Sequence, residues 1–186
     1  MSQLIRSFRA ALIAVALFAG IERASAQSGG ALITPFCFCN TTAPAPCGNF
    51  YPPGGCMNSI GAGAIMTASG TTSVSADNLV LTTVQMPPNR PGLLVMSPTS
   101  VPATPFFDGV RCFSGPAFRL PPQSTGPSGQ WTYGPGLSAY SIANFPTSGW
   151  IISGSTMTFQ SWFRDPLGPC GSGVNTSNAI MATFVP

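Results

Sequence analysis

An antiparallel β-sandwich, jelly-roll-like and of about eight strands, with an irregular disulfide-rich N-terminal head, is the fold this sequence predicts. Three observations predict it. Short runs rich in β-branched and aromatic residues alternate apolar with polar positions between Gly- and Pro-rich turns. Beyond residue 26 no segment keeps a helical face between caps, and with 20 Pro and 21 Gly in 186 residues there is little room for long helices. All six cysteines lie beyond an N-terminal export signal.

The signal is read from Arg6 and Arg9 ahead of the apolar run Ala10–Gly20, followed by the small-residue cleavage site Ala24-Ser25-Ala26. That run is too short to span a bilayer, and no later stretch is apolar for long enough. No cysteine follows the cleavage site closely, so no lipid anchor is expected. The expected organisation is a cleaved signal peptide at 1–26, a Cys/Pro/Gly-rich head at 27–58 and a sandwich at 59–186. The expected destination is the extracellular space or the cell surface, with the periplasm as a further exported compartment.

Charge is nearly absent from the exported part. Four arginines (Arg90, Arg111, Arg119, Arg164) face three aspartates (Asp77, Asp108, Asp165), and no Lys, Glu or His accompanies them. A net charge this small leaves no electrostatic footprint for nucleic acid. It does not imply disorder, because 44% of residues are hydrophobic and disorder calls for low hydrophobicity with strong net charge.

Taken in order, the head holds Cys37-Phe-Cys39, Cys47 and Cys56 among turn residues and has little periodicity of its own. It therefore needs cross-links to hold a shape. Zinc is set aside, since the cysteine spacing lacks paired C-x2-C knuckles and no His is present. The six cysteines Cys37, Cys39, Cys47, Cys56, Cys112 and Cys170 read as disulfides. Cys37 and Cys39 should take different partners, and Cys112 and Cys170 should either join each other or receive the head. Strands are expected at 62–69, at 73–84 with a break near Ala76-Asp77-Asn78, at 93–96 and from the Asp108-Gly109 turn to Phe113. Further strands are expected at 117–120, 130–133, 150–152 and 178–185. The cleanest alternation is Thr156–Pro166, with Met157, Phe159, Ser161 and Phe163 on one face and Thr158, Gln160, Trp162 and Arg164 on the other. It predicts a half-buried strand.

Several of these stretches carry a resemblance. Cys47-Gly-Asn, Gly55-Cys56-Met-Asn-Ser59, Thr67-Ala-Ser-Gly70, Phe107-Asp-Gly109-Val-Arg-Cys112 and Phe159-Gln-Ser-Trp-Phe-Arg-Asp-Pro166 together resemble a secreted β-rich bacterial module of undefined function. That module recurs in exported proteins of planctomycete and myxobacteria-like genomes. The resemblance implies a β-rich exported domain and supplies no catalytic residues. The sequence departs from the family where Ala45 stands at the first cysteine of a C-x-C-G-N pattern, with Cys39 upstream.

The inventory of side chains argues against enzyme chemistry. Without His, Glu or Lys, a Ser or Cys nucleophile lacks its usual base. Asp108-Gly109 reads as a turn, Asp165-Pro166 as a strand end and Asp77-Asn78 as an Asx turn or bulge. No phosphate-cradling glycine loop is present. The expectation is a non-enzymatic exported structural or interaction module whose partner is an extracellular protein or a polysaccharide. The alternative is a carbohydrate-binding module using Trp131, Tyr133, Trp162 and Arg164, since aromatic faces stack on sugar rings. Calcium is the one cofactor considered, at Asp165, Asn175 and Asn178. Because neighbours on a strand point apart, Arg164 is expected to pair with Asp77 or Asp108, and Asp165 with Arg111 or Arg119.

Overall fold

The computed structural model describes residues 32–186; the expected signal at 1–26 and the first residues of the head lie outside the described residues. The described elements are β1 (Ile33–Phe36), β2 (Ile65–Ser69), β3 (Val80–Val84), β4 (Pro91–Ser97), β5 (Thr104–Phe106), β6 (Gly109–Arg111), β7 (Phe118–Arg119), β8 (Gln123–Ser124), β9 (Trp131–Tyr133), α1 (Leu137–Asn144), β10 (Thr156–Asp165) and β11 (Gly173–Thr183).

These strands build an antiparallel sandwich-like fold without a closed barrel. One sheet runs β1-β11-β10-β4-β7, with β8 also on β4, and a second runs β2-β3-β9. Between them lies the main core, which includes Met66, Leu81, Leu94, Trp131, Phe159, Phe163 and Ile180. Full burial of each large side chain here contributes on the order of 1.5–3 kcal/mol.

β10 is the central strand, paired with β11 on one side and β4 on the other. Met157, Phe159 and Phe163 enter the main core as their period-two spacing demands. The opposite face is covered too, contrary to the half-buried expectation. There the β5–β6 hairpin and the head form a second small core of Cys37, Cys39, Cys56, Val110, Cys112 and Ala179. A polar side chain tolerates this only when hydrogen-bonded. Gln160, fully buried, donates through Nε2 to the carbonyls of Val110 and Ser177, both at 2.8 Å.

The head is less separate than expected. Ile33–Phe36 is an edge strand of the main sheet, in register with Ala179–Ala182 of β11. Farther along, Gly55 lies flat on β11, where a Cβ would collide with the backbone of Thr176 and Ser177. Asn178 joins the two sheets by accepting from Met66 N–H (2.7 Å) and donating to Met66 C=O (3.1 Å), as a strand neighbour would.

Three expectations fail locally. Of the strand expected at 73–84 only Val80–Val84 forms, and residues 74–79 ahead of it are turn and coil. The segment 150–152 forms no strand; the Ile151 N–H goes to Ser141 Oγ and its carbonyl accepts from Ser138 Oγ. The helix α1 was not anticipated. Its N-cap is Gly136 in the left-handed region with no side-chain cap. The capping carboxylate comes from Asp77, which accepts from Ser138 N–H at 2.8 Å and Ala139 N–H at 3.0 Å. A negative charge there satisfies orphan donors and complements the helix dipole. Asp77→Ala should therefore cost about 1–2 kcal/mol, read as a lower melting temperature with faster amide exchange at Ser138 and Ala139. Unchanged exchange at both amides would contradict this assignment.

Candidate functional site

The disulfides set the geometry of the sites. Cys37 bonds Cys112, Cys39 bonds Cys56 and Cys47 bonds Cys170. Cys37 and Cys39 do take different partners, and Cys112 and Cys170 both receive the head. Three disulfides fit an oxidising compartment. Among the described residues, no helix is long and apolar enough to cross a membrane.

The four aromatic and arginine candidates separate into two pairs. Trp131 and Tyr133 share a face of β9, with ring centroids 6.2 Å apart, but that face lies in the main core. They are 4% and 5% exposed, which removes both from any stacking surface. Trp131 Nε1 donates to Ser161 Oγ at 3.1 Å, and the Tyr133 hydroxyl donates to Pro121 C=O at 2.6 Å. Burial pushes the Tyr133 hydroxyl up from 10.0 to about 12.

Trp162 and Arg164 remain together at the surface. They border a cleft of about 280 Å³ with Pro91, Leu93, Pro122 and Val174. Trp162 is half-buried and Arg164 is exposed. The Trp162 ring packs on Phe106 (4.5 Å between centroids) and Phe113 (5.8 Å, stacked). Arg111 lies 5.5 Å from the Phe106 ring and Arg119 6.0 Å from Trp162, at cation–π range. The sequence marked Trp162 and Arg164 but not this supporting layer. The signal was the spacing of Arg111 and Phe113, which share one face beside the Asp108-Gly109 turn.

None of the expected ion pairs forms. Arg164 points to solvent, and Asp77 is taken by the N-terminus of α1. Asp108 accepts from Ser172 N–H (2.8 Å), Ser172 Oγ and Cys170 N–H (3.2 Å). Asp165 Oδ2 accepts from Ser59 N–H at 2.9 Å. In a chain with so few charges, backbone amides replace guanidinium groups as partners for carboxylates.

The three calcium candidates Asp165, Asn175 and Asn178 do not form one donor set. Asn175 and Asn178 stand on β11 and commit their amides to backbone. Asn175 donates to Met57 C=O (3.1 Å) and accepts from Thr176 N–H (2.8 Å), while Asn178 clasps Met66. Asp165 closes the far end of the β10–β11 ladder opposite Gly173. It lies instead near Asp108, since the Oδ2 atoms of both aspartates crowd the point where a Cβ on Gly168 would sit. Asn49, whose Nδ2 donates to Asp108 C=O at 2.8 Å, completes this buried polar group. The sequence hid it, since its members come from three distant segments and each has a local role. Comparison with protein-family models, with curated proteins and with solved structures finds no match, so function is argued from this geometry.

Proposed function

We propose that the protein is an exported, non-enzymatic structural or interaction module of the cell surface or extracellular space. One observation carries the reading: the three aspartates of the described chain are taken up by backbone N–H groups, and none lines the clefts bordered by Trp162, Phe38, Thr72 or Tyr140. With no His, Lys or Glu beyond residue 26, the described surface offers no acid–base pair to a substrate. The disulfides supply durability outside the cell.

The half-exposed Trp162 beside Arg164 favours a second reading, a carbohydrate-binding module that uses this cleft alone. Retention of the oxidised protein on insoluble polysaccharides, with and without chelator, separates the two. The structural reading predicts no retention on any glycan. Retention that Trp162→Ala abolishes while the melting temperature holds would replace it with the carbohydrate reading.

A further inference from the structure

We propose that the outer face of the main sheet around Trp162 docks an acidic segment of a partner protein, read by the guanidinium groups of Arg111, Arg119 and Arg164. This rests on the reading of the chain as an interaction module and names the chemistry of its partner. Strand register places the groups together. Arg119 of β7 stands opposite Val95 of β4, and Trp162 of β10 opposite Leu93 of β4. Leu93 and Val95 are two residues apart, so Arg119 and Trp162 leave the sheet on one face, and Arg164, two residues beyond Trp162, shares it. The Arg119 guanidinium lies 6.0 Å from the indole. Arg111 joins from the β5–β6 hairpin, 5.5 Å from the Phe106 ring, which itself packs on Trp162 at 4.5 Å.

Donors outnumber acceptors here. Three of the four arginines of the described chain gather round one indole, while the three aspartates are held by backbone N–H groups. Arg119 and Arg164 are exposed and, among the described residues, their side chains enter no hydrogen bond or ion pair. In the same cluster Arg111 Nε and Trp162 Nε1 are buried with no acceptor, a state that native proteins rarely leave unmatched. Like charges set side by side gain when a carboxylate reaches them, and a guanidinium grips a carboxylate through two parallel N–H donors. The adjoining cleft of Pro91, Leu93, Pro122 and Val174 is apolar, so the matching segment carries apolar residues beside its acids. Trp and Arg are also the residues most enriched among interface anchors. The Phe106 and Phe113 rings already lie against the indole, Phe113 stacked at 5.8 Å. Guanidinium groups, rather than a bare ring face, are therefore the means of recognition. A nucleic acid needs a broader basic footprint than three arginines on a chain otherwise almost without charge.

The test titrates the oxidised full chain against a labelled synthetic peptide of Glu, Leu and Pro. A peptide with Gln in place of Glu is the neutral control, and polygalacturonate and a neutral glucan are the glycan arms. The acidic peptide should bind and the neutral one should not. Raising sodium chloride from about 0.1 M to about 1 M shortens the screening length from ~10 Å to ~3 Å and should weaken binding by roughly tenfold. The double variant Arg119→Gln/Arg164→Gln should lose roughly as much with its melting temperature unchanged, because both side chains are exposed and unbonded. Arg119→Lys/Arg164→Lys, which keeps the charges, should retain most of the binding. Equal binding of the two peptides, binding indifferent to salt, or full binding by the double Gln variant overturns the proposal. Tighter binding to polygalacturonate than to the acidic peptide replaces the protein partner with an acidic polysaccharide. No binding to any probe overturns the proposal and leaves the structural module standing, which fails separately on glycan retention that Trp162→Ala abolishes.

Discussion

Replacing Cys37 and Cys112 together by serine is expected to destabilise the protein by about 4–5 kcal/mol and to lower its melting temperature by roughly 10–15 °C. The bridge closes a separation of 75 residues and holds the head against the outer face of β10. Both cysteines are buried, at 9% and 2% exposure, so two serine hydroxyls would enter an apolar cluster, adding a desolvation cost to the lost cross-link. Gln160 Nε2 lies 3.6 Å from Cys37 Sγ and would lose that neighbour. The Cys47→Ser/Cys170→Ser pair makes a useful contrast. Its separation of 123 is larger, which favours it on chain entropy alone, yet Cys47 is exposed. Urea unfolding should show the greater loss for Cys37/Cys112, and the reverse order would mean that burial on the outer face of β10 contributes little.

Trp131→Ala should cost about 3–5 kcal/mol, the usual range for truncating a large core aromatic. The ring packs edge-on against Tyr133 and over Gly92, and its Nε1 is bonded to Ser161 Oγ, which Thr83 Oγ1 also meets at 2.7 Å. Removing it opens a cavity between the sheets and strips a partner from a buried hydroxyl. Trp162→Ala should cost clearly less, because that ring is half in solvent. Equal melting of Trp131→Ala and the unsubstituted protein would show that the β9 face is not core.

These two tryptophans show how far the sequence could be read. Period-two spacing correctly put Trp131 with Tyr133 and Trp162 with Arg164, because side-chain alternation along a strand is a local property. Which face meets solvent is not local. The polar face of β10 reads as exposed, yet the head and the β5–β6 hairpin cover it, and Gln160 is fully satisfied on its donor side. The same limit hid α1, whose cap is Asp77, 61 residues away from Ser138. It hid the approach of Asp108 to Asp165 as well, whose Oδ2 atoms both crowd Gly168. Cysteine count and the expected export signal pointed to disulfides, but their pairing depended on β1 joining β11 and carrying the head across the sheet.

Mass-tagging of thiols in cell fractions tests whether the domain is exported and held by three disulfides. A tagged copy of the chain should appear outside the cytoplasm and take up no maleimide-polyethylene glycol until reduced. After reduction and denaturation it should take up six labels, one for each cysteine. A native chain found in the cytoplasm with reactive thiols would contradict the account.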